Sequence, residues 1–260
     1  MPKISAYIIG FNEEHNIADA VKSVLWADEV VVIDSFSSDR TAEIAAELGA
    51  RVVQIPFEGF GKLRSAAIAS TKHEWVFSLD TDERCTEAAR DEIRRIIASA
   101  DAADAYYVPR RNVFMGRRIK HCGWYPDYRQ PQLFRRSAMT FDEAMVHEGY
   151  TVNGRSAYMK SFIWQYPYRD LSQLIGKMER YSTLGAQKLT DRGRNATMFT
   201  AFLHGMVAFV RIYVFKQGFL DGWPGFVISF ANFEGTFYRY AKKVQADAGW
   251  DNAGVARHGD

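Results

Sequence analysis

Cysteine is nearly absent: Cys85 and Cys122 are the only two in 260 residues. Two thiols cannot build a disulfide framework, so the chain must hold its shape with a buried core. A reducing cytosol is the expected compartment. No signal peptide is expected, because Met1-Pro2-Lys3-Ile4 leads straight into a strand-like run. Long apolar runs are also missing. The longest, 198–215, is interrupted by His204 and Arg211, and is marginal against the roughly 20 residues of a membrane span. There is no internal repeat, no low-complexity linker and no Lys/Arg-rich recognition helix, so nucleic acid is not an expected partner.

What is present is the composition of a globular protein, 47% hydrophobic and 25% charged. That length suits one large domain or one domain with an appendage. The net charge of +2 conceals an asymmetry. Residues 1–150 hold 19 basic and 23 acidic side chains, net −4; the remainder hold 14 and 8, net +6. Much of the aromatic excess also lies in the last third. A basic, aromatic tail predicts contact with an anionic surface or membrane headgroups.

Strand and helix signals alternate through the first hundred residues. Strands are predicted at 4–9, 29–33, 51–55 and 75–79. Between them lie a helix with Ile17, Val21, Val24 and Leu25 on one face, a helix capped by Ser38 or Asp39 and ended before Gly49, and a helix over 63–69. Thr86 caps a further helix carrying Ile93, Ile96 and Ile97. This order predicts an α/β fold with a mostly parallel sheet flanked by helices. A strand at 105–109 is followed by a basic loop with Arg110, Arg111, Arg117, Arg118 and Lys120, and short strands are expected at 132–134 and 150–152. Beyond about Leu171 the pattern turns helical. The expected division is a catalytic domain over 1–165 and a helical region over 166–260.

Three acidic or amide clusters follow predicted strands directly: Phe11-Asn12-Glu13-Glu14, Asp34-Ser35-Phe36-Ser37-Ser38-Asp39 and Leu79-Asp80-Thr81-Asp82-Glu83. Ligands of open α/β sheets bind beyond the carboxyl ends of strands, so Asn12, Asp34 and Asp80 should line one crevice. A D-x-D pair alone is a weak signal, often only a solvated loop. Its hard oxygen ligands nevertheless suit Mg²⁺ or Mn²⁺ carrying a diphosphate.

Together these motifs resemble family 2 inverting glycosyltransferases of the GT-A fold. Phe57-Glu58-Gly59-Phe60-Gly61-Lys62, the run from Gly116 through Trp124-Tyr125-Pro126-Asp127, Val146-His147-Glu148 and Gly218-Phe219-Leu220-Asp221-Gly222 narrow the resemblance. They point to the branch that adds glucose or a similar sugar to a lipopolysaccharide inner-core heptose. The resemblance implies a nucleotide-sugar donor such as UDP-glucose, a glycolipid acceptor and a divalent metal. It implies that Asp34 meets the uracil, that Phe11 packs near the base, and that Asn12 and Glu13 line the nucleotide pocket. Asp80 lies near ribose and metal, Asp82 binds the ion, and His147 is a further metal ligand. Lys62 and Arg64 reach phosphate or ribose, and Glu148 or Asp127 is the general base. The family often has glycine where this chain has Phe36. Location on the cytoplasmic face of the inner membrane follows from such an acceptor.

Each residue also has a structural reading. Asp34 can stabilise its turn, Asp39 can cap a helix, Glu14 can favour a helix N-terminus, and Cys122 and Trp124 can be core. Arg117 and Arg118 suit acceptor phosphates or acidic sugars, and Trp124 can stack on sugar. Phe226, Phe230, Phe233, Phe237 and Tyr240 recur at steps of four and three. That stripe predicts an amphipathic helix lying on a membrane, packed in a core, or forming a seam between two copies. Two other functions share these features. A sugar nucleotidyltransferase should carry a Gly-rich basic loop after the first strand, where this chain is acidic. A non-catalytic membrane scaffold would not need the Asp80/Asp82 pair.

Overall fold

The apolar runs that end in acids form the middle of one sheet in a computed structural model, which describes residues 1–142 and 149–250. Strands β1 (Ile4–Gly10), β2 (Glu29–Asp34), β3 (Arg51–Gln54) and β4 (Trp75–Asp80) alternate with helices α1 (Ile17–Val24), α2 (Thr41–Glu47) and α3 (Phe60–Ala69). Then follow β5 (Glu83–Cys85), α4 (Glu87–Ala98), β6 (Ala105–Tyr107), β7 (Arg110–Phe114) and β8 (Arg117–Arg118). After them come β9 (Leu133–Arg135), β10 (Met139–Phe141), β11 (Tyr150–Val152), β12 (Ser156–Tyr158) and β13 (Ile163–Gln165). The main sheet runs β12-β6-β9-β4-β1-β2-β3. Strands β4, β1, β2 and β3 are parallel, while β9 runs antiparallel to both its neighbours.

The central strands are buried on both faces, as continuous apolar runs require. Ala6, Ile8, Val32, Phe77 and Leu79 pack on Ile17, Val21, Val24 and Ile93 of α1 and α4. The alternate residues Tyr7, Val31, Ile33 and Val76 pack on Leu63, Ala67 and Ile68 of α3. Two predicted caps form: Thr86 Oγ1 accepts from Ala89 N at 3.1 Å, and Gly49 takes a positive φ of 87° after α2; the N-cap of α2 is Arg40, without a side-chain cap bond, rather than Ser38 or Asp39.

The predicted basic loop after residue 109 is instead a hairpin, β7 turning into β8. Arg110, Asn112 and Phe114 alternate inward, and Met115 and Gly116 take φ of 51° and 70°, the geometry that lets two residues reverse a strand pair.

The chain divides into two compact units, Met1–Arg111 with Pro126–Tyr166, and Asn112–Tyr125 with Pro167–Asp260. The segment Asn112–Tyr125, which the sequence pattern leaves in the catalytic domain, therefore groups with the helices. The second unit contains α5 (Leu171–Asp191), α6 (Met198–Val210), a π-helical turn (Arg211–Phe215), a 3₁₀ turn (Gly218–Asp221) and α7 (Trp223–Ala248). Thr197 and Thr200 form a reciprocal capping box at the start of α6.

The aromatic stripe of α7 packs within the chain. Phe226 meets Phe209, Phe233 meets Phe202, and Tyr240 stacks on His204, at centroid distances of 5.9, 6.0 and 4.5 Å. All three partners lie on α6, so these rings form an internal helix seam. Gly205 permits the approach, because a Cβ there would lie 3.0 Å from the Phe233 ring.

Asp221 ties the segment Asn112–Tyr125 to the helices. Its carboxylate accepts from Lys120 N at 3.1 Å and His121 N at 2.8 Å, and pairs with His121 Nδ1 at 3.0 Å. Cys122 is buried beside it, and burial followed by the Asp221 charge pushes its thiol up to about 12. Replacing Asp221 with Ala strands two backbone donors. Asp221→Ala should lower the unfolding free energy of this unit by on the order of 3 kcal/mol, read by urea denaturation; an unchanged midpoint would contradict the assignment.

Candidate active site

Register brings the expected residues together at one end of the sheet. Gly10 of β1 pairs with Asp34 of β2, and Ile9 pairs with Asp80 of β4. Asp34 and Asp80 therefore flank the end of β1, where the chain continues into Phe11 and Asn12. Gly10 permits close packing here: a Cβ would lie 3.2 Å from Thr81 Cγ2 and 3.5 Å from Thr41 Cγ2.

The Asp34 corner is heavily hydrogen-bonded. Asp34 is fully buried; its carboxylate accepts from the Ser37 hydroxyl and, at 3.0 Å, from Ser37 N. Ser37 Oγ accepts from Asn12 N at 2.9 Å, and Asn12 Oδ1 accepts from Ser38 N at 2.8 Å. Asn12 holds this place with a φ of 54°. Glu13 N donates to Thr41 Oγ1 at 2.8 Å, and the Glu13 carboxylate takes the Asn16 amide at 2.7 Å. Asp34 thus acts as a turn-stabilising residue, its carboxylate occupied by the Ser37 donors. On that turn Phe36 has a φ of 60°, a left-handed conformation disfavoured for a bulky side chain. Phe11 and Phe36 are both exposed, at 58% and 61%, so each offers a ring to solvent at this corner.

Beneath the D-x-D pair lies a set of opposed charges. Arg64, buried on α3, donates to Asp80 Oδ1 at 3.2 Å and to Ser78 Oγ at 3.4 Å. Glu83 is completely buried against the Arg110 guanidinium. Its Oε2 also accepts from Gln132 Nε2 at 2.8 Å and from Asp80 N at 2.9 Å. Burial would raise the Asp80 carboxyl, but Arg64, then Arg110, with Arg129 also contributing, hold it below the usual carboxylate range. Burial raises the Glu83 carboxyl, opposed by Arg110 and reinforced by the Asp80 charge. Asp82 accepts from Gln165 Nε2 at 3.2 Å, and its carbonyl accepts from Tyr166 N at 2.8 Å.

The remaining expected residues have the following partners. Lys62 pairs with Glu58 at 3.0 Å on the surface. Arg64 is committed to Asp80 and Ser78 rather than pointing freely at solvent. Asp127 pairs with Arg129 at 3.2 Å, and its carbonyl accepts from Arg110 N at 3.2 Å. His147 and Glu148 lie outside the described residues. Arg117, Arg118 and Trp124 belong to the second unit. Arg118 lies over the Tyr125 ring at 5.5 Å. Trp124 is half-buried in an aromatic cluster with Phe114 and Tyr168, at 6.1 and 6.3 Å. Among the described residues, no three His, Cys, Asp or Glu side chains gather into a ready metal site. Asp80 and Asp82 supply hard oxygens, the donor type that Mg²⁺ or Mn²⁺ takes, with Arg64 on Asp80 and Gln165 on Asp82.

Glu83, Arg110 and Gln132 are the site residues that sequence motifs miss. The one local signal is an acid immediately after the D-x-D. Glu83→Ala leaves the Arg110 charge buried and unpaired, so it should cost about 3–5 kcal/mol in urea unfolding; a loss below about 1 kcal/mol would contradict the pairing. For Asp80 the lowered carboxyl means that its ionised form favours the folded state. That contribution is fully present above about pH 4 and is lost as pH falls through the lowered value. The stability gap between wild type and Asp80→Asn should therefore narrow under acid; a gap that widens would contradict the sign.

The sequence model of glycosyl transferase family 2 matches residues 5–166. An uncharacterized glycosyltransferase of Rickettsia typhi is 30% identical over 254 residues, spanning 93% of this chain and 87% of that one. The lipopolysaccharide core biosynthesis glycosyltransferase LpsC of Rhizobium meliloti is 27% identical over 266 residues, spanning 94% and 96%. Among solved structures, S. aureus TarS 1–349 in complex with UDP-GlcNAc aligns with a TM-score of 0.49 at 15% identity, over 96% of this chain and 93% of that one. The sheet is mostly parallel with acids at its strand ends, and the match over residues 5–166 shows that the chain belongs to glycosyl transferase family 2.

Proposed function

We propose that this glycosyltransferase moves glucose, with inversion, from UDP-glucose to a lipopolysaccharide inner-core or related glycolipid acceptor. The observation that carries the reading is the Asp80/Asp82 pair at the end of β4, with Asp80 kept ionised by Arg64 and Arg110. Asp82 and Asp80 would hold Mg²⁺ or Mn²⁺. The ion, when bound, offsets charge on the departing nucleotide diphosphate. Phe11 and Phe36 flank the base, and Asp34 receives a uracil NH once the Ser37 turn shifts. The relative named for lipopolysaccharide core biosynthesis supports the acceptor class. Such an acceptor places the enzyme at the cytoplasmic face of the inner membrane.

The reaction is a single displacement. A carboxylate, Glu148 or Asp127, takes the proton of the acceptor hydroxyl. The acceptor oxygen bonds to the anomeric carbon as the bond from that carbon to the diphosphate oxygen breaks, and UDP leaves with the electron pair. Arg117 and Arg118 are assigned to acceptor phosphates or acidic sugars, where guanidinium forks bind well.

A panel of nucleotide-sugars, assayed by nucleotide release with and without Mn²⁺, tests the donor side. UDP-glucose should be hydrolysed in a metal-dependent manner, and Asp82→Asn should lower the rate on the order of 100-fold. Metal-independent release, or no loss in Asp82→Asn, would overturn the metal assignment.

A further inference from the structure

The second unit is arranged unlike a helical bundle in water. Ser229 and Lys243 of α7 are buried, whereas large apolar side chains of α6 face out. Phe199, Leu203, Met206 and Val207 of α6, with Val214 of the turn beyond it, are all exposed, Phe199 at 74%. Their spacing puts them on one helix face. The opposite face carries the buried Ala201 and Gly205. The apolar surface continues around the corner through Phe215, Phe219, Leu220 and Trp223, with Phe215 and Trp223 exposed at 77% and 76%. By length and composition Met198–Phe215 could cross a membrane, yet little of it is buried within the chain. Exposed apolar surface of this extent marks an interaction site.

Charge chooses between a second copy and a lipid surface. Residues 192–220 contain Arg192, Arg194, Arg211 and Lys216 and no Asp or Glu. A two-fold-related copy would set this basic stretch against itself. An anionic bilayer satisfies both the apolar face and the cations. Packing chooses the mode. Helix α7 runs against α6 from Phe209–Phe226 to His204–Tyr240. A spanning α6 would carry Glu234, Arg239 and Lys242 of α7 toward hydrocarbon, which is costly.

We infer that the outer face of α6, with the corner formed by Phe215, Phe219, Leu220 and Trp223, inserts in-plane into one leaflet of an anionic membrane. Arg211 and Lys216 meet the headgroup phosphates. The inference extends the reading of a lipid-linked acceptor by naming the docking surface, and it is independent of the donor assignment.

Flotation of the full chain with phosphatidylcholine vesicles, with and without phosphatidylglycerol, tests it. Wild type should float with the phosphatidylglycerol vesicles. Phe215→Ser/Trp223→Ser should reduce the floated fraction about tenfold, with circular dichroism unchanged. Arg211→Glu/Lys216→Glu should remove the preference for phosphatidylglycerol. A wild type that stays in the soluble fraction, or floats no better than Phe215→Ser/Trp223→Ser, overturns the inference. So does a discrete wild-type dimer in sedimentation velocity that Phe215→Ser/Trp223→Ser abolishes. Calorimetry of UDP with Mn²⁺ on the same samples separates the two readings: a failure there removes the donor assignment and leaves the membrane surface standing.

Discussion

Everything at the end of the sheet depends on giving carboxylates partners where the fold has removed most of their water. Parallel strands buried on both faces end in Asp34 and Asp80, with Glu83 three residues further on. Burying such groups without partners is costly. The chain meets this constraint with guanidinium groups, Arg64 on Asp80 and Arg110 on Glu83. Glu83 in turn accepts the Asp80 backbone N–H. The result is a strand end held by paired charges, with Asp82 two residues beyond Asp80 and bonded to Gln165. The Asp34 corner is held differently, by the neutral donors of Ser37.

Much of the fold was legible because its signals are local. Buried parallel strands read as apolar runs, Thr86 announces a helix start, and Gly49 marks a helix end. The strand-end position of Asn12, Asp34 and Asp80 followed from the alternation alone. Pairings across the sequence were not legible. Arg64 lies 16 residues from Asp80, and Arg110 lies 27 from Glu83, so no periodicity links them. Arg110 looked like one cation of a basic loop because its neighbours Arg111, Arg117 and Arg118 are also basic. Its burial becomes visible only when Arg110, Asn112 and Phe114 are seen alternating along a strand. Lys62, read beside Arg64 as a phosphate contact, pairs with Glu58, four residues earlier in the chain.

The helical unit shows a related limit of pattern. The period of Phe226 to Tyr240 correctly marks one face of a helix, and periodicity cannot say what covers that face. Here α6 meets Phe226, Phe233 and Tyr240 of it, through ring contacts beside Gly205. The consequence is that the outward apolar surface moves to α6, a segment whose interrupting His204 and Arg211 weaken its signal as a span. Polar side chains of α7 face α5 instead: Lys242 reaches Glu179, Ser182 and Thr183 at 2.7 to 3.0 Å.

The central claim is that the end of β4 is the metal and diphosphate corner of a nucleotide-sugar site. The most direct measurement is an anomalous difference map from crystals grown with UDP and Mn²⁺. The account predicts a manganese peak within coordination distance of an Asp82 carboxylate oxygen, with the diphosphate bridging to it and Phe11 near the base. A diphosphate seated on the Arg117–Arg118 hairpin strand, or a manganese site remote from Asp80 and Asp82, would contradict it.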